Sequence, residues 1–213
     1  MKTAIRTLLP LWRGHVNALG CFDAALSQQF FDALCTDYSQ PHRAYHTLDH
    51  LVQIFNTLEQ HAEKTRHPLR LAFAAWYHDV VYDPPAKDNE ERSAARAESE
   101  LKQMTADPQL PSQVAKLILA TKSHHKGADD ADGDLFLDID YSILGSAPAA
   151  YQTYAAQIRR EYAHLTDDQW RKGRGAFLKS ASARTPTFRT ALFENLYGPQ
   201  ARANMAAEMA ALI

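Results

Sequence analysis

A histidine followed directly by an aspartate stands inside an otherwise apolar run, and this pair could do chemistry. His78 and Asp79 lie within residues 74–82, whose sequence is AAWYHDVVY. Burying an imidazole beside a carboxylate is costly unless something compensates, and a bound cation is a common compensation. Read alone, the pair could also be an incidental hydrogen-bonded couple, so the residues around it decide whether it belongs to a metal site.

Further potential ligands lie on both sides of this pair. His46 and His50 precede it, His124 follows it, and Asp138 and Asp140 come last. Mixed nitrogen and oxygen ligands suit a divalent ion such as Mn²⁺, Co²⁺, Ni²⁺, Fe²⁺ or Zn²⁺, with positions left open for water. We expect one such divalent ion, with Mg²⁺ a further possibility, and the sequence leaves its identity open.

Helical periodicity dominates the chain and predicts the elements that must position these residues. Apolar residues recur at spacings of three and four, and sustained strand-like alternation is absent from the sequence. The pattern predicts helices over about 46–65, 69–83, 89–106, 135–144, 147–164 and 198–212, with another beginning after the cap signal at Thr166. The fold class expected is all-α, with residues 1–213 forming a single-domain helical bundle.

The two late aspartates cannot both face the interior. Asp138 and Asp140 are two residues apart, which places them about 200° apart around a helix. Phe136, Ile143 and Leu144 share the helical face of Asp140 and are apolar, whereas Asp138 falls on the polar face. Asp140 is therefore the expected inward carboxylate.

Bulk properties exclude several classes of protein. A net charge of −2 gives no support to a nucleic-acid surface, which would show a basic excess. Cys21 and Cys35 are too few for a disulfide framework, and the chain contains neither a long apolar span nor a clear signal peptide. We expect a cytoplasmic protein with no membrane partner.

The order of these residues resembles a known family. His50, the His78-Asp79 doublet and Asp140 resemble the signature of the HD superfamily of metal-dependent phosphohydrolases, over about residues 43–145. The chain as a whole resembles a bacterial branch of predicted HD phosphohydrolases. Tyr45-His46-x3-His50 also resembles the Tyr-His-Asn-x2-His element of cyclic-nucleotide phosphodiesterases, with Thr47 in place of the Asn.

The resemblance implies an all-α HD-type bundle that hydrolyses a phosphate ester, with a nucleotide as the expected substrate class. His50, His78, Asp79 and Asp140 would hold the metal, and His46 would protonate the leaving group. Two-metal members carry a further histidine after the doublet, but residues 89–106 contain none. We therefore expect one metal, while Glu90, Glu91 or His124 could complete a second site.

The reaction needs further groups, because phosphoryl transfer requires cations for the phosphoryl oxygens and a proton donor for the leaving oxygen. Arg43 is a candidate phosphate clamp, Glu91 a candidate partner for a metal-associated water, and His124 an alternative acid.

Two other functions stay open from the sequence. A di-iron oxygenase of the same fold would need additional histidines between the doublet and the last aspartate. A binding module that senses a nucleotide without turnover would need no acid at His46. The expected partner is a small phosphate ester rather than a nucleic-acid polymer, and the sequence sets neither the substrate nor the oligomeric state.

Overall fold

Regular structure in the described part of the protein is entirely helical, which confirms the all-α expectation. The computed structural model describes residues 2–122 and 130–212, and these ranges contain ten α-helices, two 3₁₀ helices and no strand. The chain divides into two compact units, Met1–Gly133 and Asp134–Ile213.

The first unit carries the histidine-rich part of the sequence. Its helices are α1 (Lys2–Ala18), α2 (Ala24–Asp37), α3 (Leu48–Gln60), α4 (Pro68–Tyr77), α5 (Asn89–Met104) and α6 (Leu110–Thr121), with a 3₁₀ helix at Ala62–Lys64. The sequence pattern had not singled out α1 or α2. Helix α7 (Ala131–Tyr141) begins in this unit and continues into the second.

Helix α4 is the centre of the first unit. Each residue from Leu71 to Tyr77 is buried, and α4 packs against α1, α3, α5 and α6. A helix that is apolar all round must be enclosed by neighbours, because no side of it can face water without cost. The phenol of Tyr77 donates a hydrogen bond to Glu100 on α5, so even the polar atom at this end of α4 is paired.

The start of α4 is held by a carboxylate distant in sequence. Asp132 is 2% exposed and accepts hydrogen bonds from the backbone N–H groups of Arg66 and His67. The first N–H groups of a helix have no partner within the helix, and a negative charge there also complements the helix dipole. Pro68 occupies the first turn, where its missing N–H costs nothing.

The second unit contains the C-terminal helices. They are α8 (Pro148–Glu161), α9 (Asp167–Ser182) and α10 (Ala191–Ala211), preceded by a 3₁₀ helix at Ser142–Gly145. Thr166 caps α9 with a complete capping box, as its sequence signal predicts. A Cβ at Gly145 would lie 2.5 Å from the Cβ of Tyr197, so only glycine permits this approach to α10.

Several predicted boundaries were wrong. Helix α10 begins at Ala191 rather than near 198, because Thr190 accepts a hydrogen bond from the N–H of Phe193 and caps it there. The helix expected over 135–144 begins at Ala131 and passes into the 3₁₀ helix after Tyr141. No helix in the described ranges is long and apolar enough to span a bilayer.

Candidate metal centre

The His-Asp doublet lies at the end of α4 rather than inside a helix. The sequence predicted a helix through residue 83, but α4 ends at Tyr77 and His78 is its C-cap. The backbone N–H of Val81 donates a hydrogen bond to the hydroxyl of Ser93, which is fully buried on α5. Since that hydroxyl replaces the helical partner, the chain leaves the helix and presents Asp79 from a turn.

His78 is oriented by its own helix. Its side chain is 1% exposed, and its Nδ1 lies 3.0 Å from the carbonyl oxygen of Ala75. A carbonyl only accepts, so Nδ1 carries the hydrogen and Nε2 keeps its lone pair. An imidazole whose other nitrogen donates to a backbone carbonyl is the usual arrangement of a metal-binding histidine.

His50 reaches the same place from α3. It lies in the first turn of α3, its side chain is 3% exposed, and its Nε2 lies 3.2 Å from the Nε2 of His78. His46 was expected on the same helix face, but α3 begins only at Leu48, so His46 belongs to the preceding turn.

One carboxylate oxygen of Asp79 lies close to three imidazoles. Oδ2 of Asp79 lies 3.1 Å from Nε2 of His78, 3.8 Å from Nε2 of His50 and 3.8 Å from Nε2 of His46. Two atoms bound to one ion at about 2.1 Å are about 3.0 Å apart at a right angle and about 3.4 Å apart at the tetrahedral angle. The separations among His50, His78 and Asp79 are close to these values.

The Nε2 atoms of His50 and His78 could serve as ligands of a metal ion, and the Asp79 carboxylate lies beside them. The two buried imidazole nitrogens and the carboxylate oxygen form a mixed donor set of the kind that divalent transition metals prefer. Asp79 is 21% exposed at its side chain, so this part of the cluster is open to water while both imidazoles are enclosed.

His46 lies at the open edge of the cluster. Its side chain is 18% exposed, and its ring packs against Tyr82 with centroids 4.3 Å apart and against Tyr45 at 5.1 Å. Two aromatic neighbours fix the position of the ring beside the cluster without burying it fully. The sequence had suggested for Tyr82 only a place in the core or in a pocket wall.

Arg43, the candidate phosphate clamp, is bound to backbone carbonyls in this structure. Its guanidinium is buried and donates hydrogen bonds to the carbonyl oxygens of His46, Asp79 and Val80 at 2.8–2.9 Å. Its Cζ also lies 5.0 Å from the ring centroid of Tyr38. Both terminal nitrogens are committed to backbone, and this arrangement favours a role in positioning the loop of His46 against the doublet.

Glu91 is turned away from the cluster. It is exposed and accepts a hydrogen bond from the ammonium of Lys122, which holds the pKa of its carboxyl below the usual value. Glu90 is half-buried, and burial is the main reason that the pKa of its carboxyl is raised, with the charge of Asp79 acting in the same direction. This electrostatic interaction with Asp79 favours Glu90 over the expected Glu91 as the acidic neighbour of the doublet.

The second unit corrects the facing argument for the two late aspartates. Asp138, expected on a polar face, is 2% exposed and accepts hydrogen bonds from the N–H groups of Arg189 and Thr190 and from the Thr190 hydroxyl. The expectation that Asp138 lies on a polar face was wrong because α7 is buried on both sides. Asp138 is enclosed there by pairing with the loop before α10. Asp140 lies on the same helix and is half-buried.

The last residue expected in the site, His124, lies outside the described residues.

No protein-family model matches the chain, and no match was found among curated proteins or among solved structures.

The Arg43 arrangement yields a test of the cluster's support. Arg43→Ala should lower the free energy of unfolding by about 2–4 kcal/mol, because three buried or part-buried carbonyl oxygens lose a charged donor. Arg43→Lys should recover only part of this loss, since one ammonium cannot reproduce the planar fork. Chemical denaturation of the three proteins measures the effect.

Arg92→Ala is the matched control, because Arg92 is exposed and its nearest carboxylate contact is 4.0 Å. It should change stability little. A denaturation midpoint in Arg43→Ala equal to that of the control would contradict the positioning role.

Proposed function

We propose that this protein is a metal-dependent phosphohydrolase that acts on a phosphomonoester or phosphodiester, a nucleotide being the expected class. The observation that carries the proposal is the convergence of the His50 and His78 Nε2 atoms and the Asp79 carboxylate within 3.1–3.8 Å. The sequence resemblance to the HD superfamily supports the same reaction.

The proposed ligand set is His50, His78, Asp79 and Asp140. The first three are supported by their geometry in the first unit. Asp140 is proposed from the resemblance, and the capture of Asp138 by Arg189 and Thr190 removes its competitor.

A divalent ion in this site would supply Lewis acidity, lowering the pKa of a water molecule so that it attacks phosphorus at neutral pH. The chain's own residues do the rest. Asp79 and the two imidazoles would hold the ion, Arg43 fixes the backbone of the doublet, and His46, 3.8 Å from the Asp79 carboxylate, would give a proton to the leaving oxygen. A binding module without turnover would not need a proton donor beside the cluster, so the position of His46 favours catalysis.

The direct test is a screen of nucleotides, cyclic nucleotides and generic phosphoesters with Mn²⁺, Co²⁺, Ni²⁺ or Mg²⁺. The wild-type protein should bind about one ion per chain, gain thermal stability with metal and release phosphate or open the diester. Asp79→Ala should lose both metal and activity. Asp49→Ala, which removes an exposed carboxylate beside His50, should keep both.

Metal analysis also separates the proposal from its simpler competitor. A separation of 3.2 Å between two Nε2 atoms suits an N–H···N hydrogen bond as well as a shared ion. Unchanged metal content and activity in Asp79→Ala would therefore overturn the proposal. Turnover that requires O₂ in an anaerobic comparison would favour an oxygenase instead.

The two late aspartates should respond differently to amide substitution. Asp140→Asn should lose bound metal, because an amide is a weaker ligand than a carboxylate. Asp138→Asn should keep the metal but lower stability by about 1–3 kcal/mol, since it disturbs three buried hydrogen bonds. Metal content per folded chain, with denaturation alongside, is the measurement; metal lost only from Asp138→Asn would refute the assignment.

His46 and His50 should also differ. His46→Ala should retain metal but slow cleavage by about 10²–10⁴-fold, as is typical for loss of a general acid. The penalty should shrink for p-nitrophenyl phosphate esters, because p-nitrophenolate leaves without protonation. His50→Ala should lose metal and all activity.

His67→Ala is the control, because His67 is exposed and meets Asp132 only through its backbone N–H. Metal loss in His46→Ala with retention in His50→Ala would show that the two roles are exchanged. Equal slowing for good and poor leaving groups would make His46 a positioning residue rather than the acid.

A further inference from the structure

An apolar cavity with one oriented donor lies in the first unit, between α1, α3 and α4. Its volume is about 240 Å³, and its lining residues are Leu11, His15, Phe55, Asn56, Leu58, Glu59, Ala62, Thr65, Pro68, Leu71 and Ala72. Phe55, Leu71 and Ala72 form a buried floor, while Asn56, Glu59 and Ala62 are exposed at the rim. Its lining contains none of the residues of the candidate metal centre.

His15 provides the donor, and its tautomer follows from its partner. Nδ1 of His15 lies 3.1 Å from the indole Nε1 of Trp76, which can only donate. Nδ1 is therefore the acceptor. Burial lowers the pKa of His15 to about 4, so the ring is neutral at pH 7 and its one hydrogen is on Nε2.

Within the described residues the Nε2–H of His15 has no protein acceptor, and Nε2 is not among the fully buried unpaired polar atoms, so it is accessible to a ligand. Nδ1 is turned towards Trp76 in the core, so Nε2 lies at the opposite end of a ring that lines the cavity. Phe55 and Phe73 pack against this ring with centroids 5.5 and 6.3 Å away, which holds it in one orientation. A fixed donor in an apolar wall is the feature that gives small-molecule pockets their specificity.

The charge and size of the cavity limit its occupant. Among its described lining residues the only charged side chain is Glu59, at the rim, and no lysine or arginine contributes. A phosphate or carboxylate ligand would lack a counter-charge there. An engineered cavity of about 150 Å³ accommodates benzene, so this space can take a ring with a substituent.

The other polar groups that line the cavity do not compete with the Nε2–H of His15 in selecting a ligand. The hydroxyl of Thr65 donates to the carbonyl oxygen of Ala62, so it is engaged within its own turn. Asn56 and Glu59 lie at the exposed rim rather than on the floor. The polar atom directed from the enclosed part of the wall is thus a donor, which selects an acceptor on the ligand.

We propose that this cavity binds a small, uncharged, largely apolar molecule whose carbonyl oxygen accepts a hydrogen bond from Nε2 of His15. The site is separate from the proposed hydrolytic centre and does not depend on it. Aryl ketones have the required chemistry, a flat apolar body with one strong acceptor and no charge.

A matched pair of probes tests the assignment. Acetophenone and α-methylstyrene have the same shape, but the second carries a CH₂ group where the first has its carbonyl oxygen. Binding is followed by the ¹H–¹⁵N signals of the His15 ring and of the Trp76 indole during titration of the metal-free wild-type protein. Acetophenone should bind roughly 3- to 10-fold more tightly, the contribution of one hydrogen bond.

Two variants separate the donor from the cavity itself. His15→Phe keeps an aromatic ring but removes the donor, so it should weaken acetophenone by roughly 3- to 10-fold and leave α-methylstyrene unchanged. Ala62→Leu narrows the exposed mouth without altering the core and should weaken both probes. Gln60→Leu, exposed and outside the lining, is the control and should weaken neither.

The outcomes decide the proposal whether or not His15→Phe folds well. If acetophenone and α-methylstyrene bind the wild-type protein equally, the donor does not select the ligand and the proposal is overturned. It is also overturned if acetophenone shifts neither the His15 nor the Trp76 signal, or if Ala62→Leu and Gln60→Leu affect acetophenone alike. Because binding is measured without metal or turnover, a failed hydrolase assay does not change any of these results.

Discussion

A buried guanidinium bound to three backbone carbonyls is the interaction on which the candidate metal centre depends. Arg43 joins the carbonyl of His46 to those of Asp79 and Val80. A cation enclosed by protein must replace the hydrogen bonds it had with water. Three carbonyl oxygens accept from the two terminal nitrogens, and the faces of Tyr38 and Tyr82 lie against the guanidinium, whereas its buried Nε has no acceptor among the described residues.

The carbonyl partners of Arg43 affect the charge and the ligand strength of the neighbouring cluster. A carboxylate paired with Arg43 would add negative charge to the cluster, and Asp79 itself, if salt-bridged to Arg43, would be a poorer ligand. Because the guanidinium takes the backbone oxygen of Asp79, the side-chain carboxylate is left to approach the imidazoles, 3.1 Å from His78 at its nearest. The buried cation thus orients the doublet without competing for its carboxylate.

The enclosure of α4 is the second requirement. A helix buried on every side cannot slide or rotate without disturbing several neighbours, since protein interiors are close-packed. Its first turn is fixed by Asp132, and its last turn ends where Ser93 captures Val81. His78 therefore occupies a well-defined position, and its Nδ1 bond to Ala75 sets the remaining freedom of the ring.

The sequence by itself determined the helical class and the capping of α9, and it predicted that His46, His50 and the His78-Asp79 doublet belong to one candidate site. These rest on local periodicity and on the cost of burying polar residues, which composition and spacing reveal. It did not reveal the end of α4, the burial of Asp138 or the commitment of Arg43 to carbonyls. Each of those depends on partners 12 to 52 residues away, as with Ser93 for Val81 and Thr190 for Asp138. Only tertiary structure decides which distant donor or acceptor meets a buried polar group, because pairing free energy depends on proximity in space rather than in sequence.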